Sequence, residues 1–286
     1  ALDANTTANN NTAIGHAALG ANTVSNNTAL GTSALASNTG GTPNAAVGYY
    51  ALGANTTGSY NTAMGAYSLD ANTTASSNTA FGYGSLSACT TGGSNTAMGY
   101  HCLVNITTGT DNVAMGANAL YSATTHSENI AIGKNAGYSS ISSQNVFVGG
   151  EGCGDAVTTG AECVFMGSYA GTSVTTGSYN VLIGPSAGNN ITTGDFNVFL
   201  GKDTGTTVST GSGNVFLGNY AGKAQGNLSN NLFIARDQGA SSVAGTWIYG
   251  NGSGVCYQGN NSSTWSTTSD ARLKKNVVDS SKGLAE

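Results

Sequence analysis

Charge is scarce in this chain. Only 7% of its 286 residues are charged, against roughly 25% in ordinary domains. Eight Lys and Arg stand against thirteen Asp and Glu, and no basic residue precedes Lys134. A nucleic-acid groove needs clustered Lys and Arg, so nucleic acid is not an expected partner. No apolar run reaches the roughly 18 residues of a membrane span, so membrane insertion is not expected. There are two prolines, and the N-terminus shows no signal-peptide pattern. The chain opens inside repeat-like sequence, Ala4-Asn5-Thr6-Thr7, as a piece of a longer protein would.

Cysteine is also sparse and unpaired in spacing: Cys89, Cys102, Cys153, Cys163 and Cys256. With no C-x-x-C pair and no His cluster, neither a metal nor a cofactor is expected. The thiols read as small buried residues. Cys102 sits where other repeats carry Ala, and Cys163 where they carry Asn. His16, His101 and His126 share no register position and read as solvated or turn residues.

What is present is a period. The motif Asn112-Val113-Ala114-Met115-Gly116 recurs with its glycine at Gly15, Gly31, Gly48, Gly65, Gly82, Gly99, Gly116, Gly133, Gly149, Gly167, Gly184, Gly201 and Gly218. The steps are 16 to 18 residues, mostly 17. One further step lands on Ala235, where Asn231-Leu232-Phe233-Ile234 keeps the pattern and the glycine is lost. Such regularity predicts an all-β solenoid or β-roll of about 14 coils, one per repeat. The expected division is a repetitive shaft or head at 1–235, a capping or distal tip segment at 236–269, and a short terminal segment at 270–286.

Four residues before each anchor position stands an asparagine. In addition to Asn11, Asn27, Asn44, Asn145 and Asn231, the row includes Asn61, Asn78, Asn95, Asn112, Asn129, Asn180, Asn197 and Asn214; only Cys163 breaks it. Amides both donate and accept, so a ladder in which each rung bonds the next is expected. The three residues after the Asn form a short strand, Thr-Ala-apolar early in the chain and Val-Phe-apolar late. Strand alternation makes both faces of the late strands apolar, and one solenoid has a single interior. Identical chains lying side by side would cover the second face, which predicts a homotrimer or another symmetric assembly.

A coordinated swap runs along the coils. Early coils carry Ala at the middle of the strand (Ala63, Ala80, Ala114) and Leu shortly after the glycine (Leu69, Leu86, Leu120). Late coils carry Phe165, Leu182, Phe199 or Phe216 with Gly171, Gly188 or Gly222. One large and one small residue is kept, so the two positions are expected to share one compartment. Ala131 with Gly137 is small at both, which predicts a looser spot. Thr-Thr-Gly turns recur, as at 56–58 and 192–194; they are expected to face solvent, with their glycines at positive φ.

Tyr49, Tyr50, Tyr67, Tyr83, Tyr100, Tyr121 and Tyr138 fall near the anchor glycines. They read either as a stripe for stacking sugars or as packing against a neighbouring chain. Tyr49, Tyr67, Tyr83 and Tyr100, with Trp247 and Trp265 of the terminal segment, are the candidate receptor contacts.

Two resemblances follow. Residues 112–116 and 129–133 resemble the head repeats of trimeric autotransporter adhesins of the YadA type, left-handed β-rolls packed as trimers, although the coil here is longer. Ser269-Asp270-Ala271-Arg272-Leu273-Lys274-Lys275-Asn276 resembles the opening motif of the intramolecular chaperone domain that ends phage tailspikes and tail fibres. That family trimerises the protein ahead of it and then cuts itself off. The resemblance implies cleavage between Ser269 and Asp270, with Ser269 as nucleophile and Lys274 as base. By that resemblance residues 270–286 are the truncated start of the chaperone domain, and so few residues follow Ser269 that self-cleavage is expected only in a longer precursor.

The expectation is therefore a structural and host-attachment protein, a trimeric phage tail fibre of the virion tail. Its partners would be other tail proteins and a host-surface glycan or protein. A bacterial trimeric surface adhesin is the alternative. A polysaccharide-degrading tailspike is a further one, but Glu151 with Asp155 or Glu162 is the only local carboxylate cluster, and glycosidases need a facing pair.

Overall fold

The computed structural model describes residues 1–223, 226–235 and 246–258, and no helix occurs among them. Each coil contributes one short strand, from β1 (Thr12–Ile14) and β2 (Asn27–Leu30) to β13 (Val215–Leu217) and β14 (Leu232–Ala235). The fourteen strands pair in chain order as parallel neighbours, giving a β-solenoid of about thirteen turns. Register is strict: Ala63 lies beside Ala80 and Ala80 beside Ala97, while Phe199 lies beside Phe216. Outside the strands the coils remain bonded to one another, as in Leu52 N–H to the Ser68 carbonyl (3.0 Å) and Tyr67 N–H to the Tyr49 carbonyl (2.9 Å).

The anchor glycine is required twice over. Its φ lies between +113° and +145° at every anchor except Gly149. The anchors also stack so closely that a Cβ on Gly15 would lie 2.6 Å from the Gly31 carbonyl oxygen. At Ala235 both demands end, because the next strand, β15 (Thr246–Gly250), pairs with β14 in antiparallel sense. β16 (Cys256–Gln258) then pairs antiparallel with β15.

The interior is filled by the swap seen in the sequence. Leu19, Leu35, Leu52, Leu69, Leu86, Leu103 and Leu120 are fully buried, as are Phe147, Phe165, Phe199 and Phe216. A Cβ placed on Gly171 would meet the Phe165 ring at 2.7 Å, and one on Gly188 would meet Leu182 at 2.8 Å. The two positions share one compartment. The looser spot expected at Ala131 and Gly137 is absent: Phe147 and Leu120 reach in from the flanking coils, 2.7 and 3.1 Å from a Cβ on Gly137. Side chains one coil away can fill the gap because the coils stack at strand spacing.

The turns correct a second expectation. Gly58, Gly109, Gly160, Gly177 and Gly194 of the Thr-Thr-Gly turns do not have positive φ. They are glycine because the next coil leaves no room: a Cβ on Gly58 would collide with the Ala75 carbonyl and with Asn55 Oδ1. The left-handed residue comes two positions later, at Tyr60 (61°), Asp111 (59°), Glu162 (56°), Tyr179 (58°) and Phe196 (57°). The threonine hydroxyls link coils, with Thr56 Oγ1 donating to the Thr73 carbonyl (2.9 Å) and Thr158 Oγ1 to that of Thr175 (3.0 Å).

Candidate functional site

The asparagines stack as one buried row, but the bonding differs from the expectation. Each Oδ1 accepts the backbone N–H of the next asparagine, as in Asn78 to Asn61 (3.0 Å), Asn95 to Asn78 (2.9 Å) and Asn129 to Asn112 (3.0 Å). From Asn11 to Asn214 each Nδ2 donates to a turn carbonyl fourteen or so residues on, as Asn61 to Ala75 (2.9 Å) and Asn180 to Gly194 (2.7 Å). Direct amide-to-amide bonds occur only at some rungs, such as Asn214 to Asn197 (3.0 Å). The amide thus ties strand to turn and coil to coil, satisfying buried backbone groups that would otherwise be orphaned. Cys163 N–H donates to Asn145 Oδ1 (3.0 Å), but Cys163 offers no amide oxygen to Asn180.

A second ladder escaped the sequence reading. Asn38 donates to Asn22 (2.7 Å), Asn55 to Asn38 (2.9 Å) and Asn72 to Asn55 (2.7 Å). Its signal was visible in the repeated Ala-Asn-Thr at 21–23, 54–56 and 71–73. It ends at Cys89, and Asn72 Oδ1 is left buried without a partner. These asparagines are structural: none reaches the surface.

Two surfaces remain. The first is the outer face of the parallel sheet. The two residues that flank the buried middle residue of each parallel strand point outward: Thr28 and Leu30, Thr62 and Met64, Val113 and Met115, Val164 and Met166, Val198 and Leu200. Ile14, Leu30, Met64, Phe81, Met98, Met115, Ile132 and Met166 along this face are exposed in the single chain. The row is continuous over fourteen strands, and contiguous exposed apolar surface of this kind marks an interaction site.

The second surface is aromatic. Tyr49, Tyr67, Tyr83 and Tyr100 are 46%, 37%, 48% and 54% exposed. Their ring centroids follow one another at 5.2, 5.8 and 5.7 Å. Tyr50 joins at 5.3 Å from Tyr49, and His101 stacks on Tyr100 at 4.0 Å. Tyr121 and Tyr138 stack on each other at 4.9 Å in a different register. A third aromatic pair, Tyr179 with Phe196 at 4.8 Å, sits on the turn position that Tyr60, Ser94, Asp111 and Glu162 hold in other coils.

Compared with known proteins, the chain matches no family model, no curated protein and no solved structure.

Trp247 on β15 is 63% exposed. A bulge between Ile234 and Ala235 accompanies it, and a shallow cleft of about 490 Å³ is bordered by Leu217, Gly218, Asn219, Ile234, Ala235 and Trp247. Trp265, Ser269, Asp270 and Lys274, with the whole 270–286 segment, lie outside the described residues.

The carboxylates are dispersed. Glu151 pairs with Lys134 at 3.1 Å, and Asp155 accepts the Ser139 N–H at 3.1 Å. Among the described residues no group of three or more His, Cys, Asp and Glu could hold a metal. Burial pushes the thiols of Cys102 and Cys153 up to about 12, and those of Cys89 and Cys163 to about 11. His126 is held below its ordinary value by desolvation.

Proposed function

We propose that this chain is the shaft of a trimeric phage tail fibre, holding a host-binding surface away from the virion. The observation that carries the reading is the outer face of the parallel sheet. Two outward side chains from each of fourteen strands match the roughly 20–30 residues a side that stable interfaces use. At about 4.8 Å per coil the face extends on the order of 65 Å, a fitting length for a shaft and a contact too long to leave wet. Three copies packed through this face would bury it and leave the turns outside.

The threefold number and the assignment to a phage rest on the resemblance to autotransporter heads and to the opening motif at Ser269–Asn276. In a longer precursor, Ser269 with Lys274 as base would cut the Ser269–Asp270 bond after assembly. The low charge and the Asn-, Thr- and Tyr-rich surface suit many weak polar contacts made in parallel with a host surface. An unheated denaturing gel together with mass photometry tests the assembly. A mass of three chains is expected; a monomer in both overturns it.

A further inference from the structure

We propose that the aromatic strip over Tyr49, Tyr50, Tyr67, Tyr83, Tyr100 and His101 is a binding site for an uncharged, unbranched oligosaccharide. The proposal deepens the fibre reading by naming the class of receptor. It rests on that reading only in placing the strip outside the contact between copies.

Three observations carry it. First, the fold does not need these rings. The position just after the anchor glycine is Tyr in three of the four coils from Gly48 to Gly99, yet His16, Thr32, Ala117, Ser168 and Pro185 hold it elsewhere. One residue further on, Tyr50, Tyr67 and His101 are left-handed at φ 58°, 57° and 50°; Ala17, Ser33, Asn118 and Ser186 serve there in other coils, and Tyr169 and Tyr220 recur there singly, outside the strip. A bulky residue in that conformation carries a steric cost that Ala, Ser or Asn would reduce. The rings here are a third to a half exposed.

Second, the rings form a continuous surface. Successive coils place them 5.2 to 5.8 Å apart, close to the length of one pyranose unit. Edge and stacking contacts between neighbours hold them in place before any ligand arrives, which lowers the ordering cost of binding. A sugar offers a face of C–H groups and a rim of hydroxyls; the tyrosines offer ring faces and phenolic hydroxyls to match.

Third, the neighbourhood is almost free of charge. Between Asp3 and Asp111 the only charged residue is Asp70, and no Lys or Arg precedes Lys134. Its half-buried carboxyl is held above its ordinary value by desolvation. An acidic capsule chain or a phosphate-rich surface would find no counter-charge here. The ligand that fits is neutral.

The test uses the full chain in whatever assembly it forms. Neutral hexasaccharides of glucose (β-1,4, β-1,3 and α-1,4) and of N-acetylglucosamine are titrated by calorimetry and saturation-transfer NMR, with a hyaluronan hexasaccharide as the acidic control. Binding of at least one neutral chain is expected, and Tyr83→Ala with Tyr100→Ala should weaken it at least about tenfold. Ala already occupies that register at Ala66 and Ala117, so the fold is retained; Tyr49→Ala with Tyr50→Asn is a second variant of the same kind. Tyr83→Phe with Tyr100→Phe should keep most of the affinity, and Tyr121→Ala with Tyr138→Ala should leave it unchanged.

Failure of every neutral chain to bind overturns the proposal. So does binding of hyaluronan as tight as that of the neutral chains, or affinity that survives both strip variants. If the strip variants dissociate the assembly, the rings are a subunit contact and the proposal falls while the fibre reading stands. If the protein is monomeric yet the strip variants abolish sugar binding, the fibre reading falls and the site stands.

Discussion

Phe165 and Gly171 occupy one hole in the coil interior: a Cβ on Gly171 would stand 2.7 Å from the Phe165 ring. Ala63 and Leu69 occupy the equivalent hole at the same six-residue separation. Phe165→Ala alone should cost about 3–5 kcal/mol through the cavity it opens. Gly171→Leu alone should cost at least about 1–3 kcal/mol through overpacking. Together they recreate the early-coil arrangement, so the double variant should recover most of the loss. Denaturant unfolding of all four species measures the coupling; strict additivity would contradict a shared compartment.

The broken rung at Cys163 is repairable. Asn at this position would give Asn180 N–H the amide oxygen that every intact rung supplies, and would replace the weak thiol contact to the Gly177 carbonyl at 3.4 Å. Cys163→Asn should raise stability by about 0.5–1.5 kcal/mol. Cys89→Asn should do the same for the second ladder by offering a donor to the unpartnered Asn72 Oδ1. Thermal midpoints that fall in both variants would show that the ladders tolerate no further amide.

A charge on the outer face separates assembly from folding. Val181 and Val198 are adjacent outward residues of paired strands. Val181→Lys with Val198→Lys leaves the interior untouched, so the circular dichroism spectrum should stay that of the native coil while the mass falls to one chain. An unchanged mass would place the contact between copies elsewhere.

Four buried thiols make the fold sensitive to base. Cys89, Cys102, Cys153 and Cys163 have ordinary values of 9.0 and are raised to about 11 or 12 by burial. The unfolded chain therefore loses these protons first. Their contribution is complete below pH 9 and is lost as pH rises from 9 towards 12, by about 1.4 kcal/mol per thiol per pH unit. Replacing all four by Ala should flatten the fall in urea midpoint across that window. In the native state these thiols should not react with a disulfide reagent at neutral pH.

Much of this architecture was legible because a solenoid turns a sequence period into a spatial neighbour. The anchor glycines set the coil length, the asparagines marked the inner edge, and the exchange of Ala63/Leu69 for Phe165/Gly171 revealed a shared volume. The errors came where stacking, not local preference, decided. Gly58 is glycine because the Ala75 carbonyl is too near, not because its φ is positive. The gap at Ala131 and Gly137 closed because Phe147 and Leu120 belong to other coils.

The order of residues alone settled the period, the inside and outside of each strand, and the conservation of interior volume, since each follows from alternation and from counting to the next repeat. Only the folded coil decided where the asparagine amides bond, which residues carry the left-handed turns, and that Tyr121 and Tyr138 stand apart from the strip of Tyr49, Tyr67, Tyr83 and Tyr100. The reason is angular. Position around the coil depends on the accumulated backbone turns at residues such as Leu69 and Tyr67, whose chemistry does not announce a left-handed conformation and which adopt it only because the coils above and below hold them there.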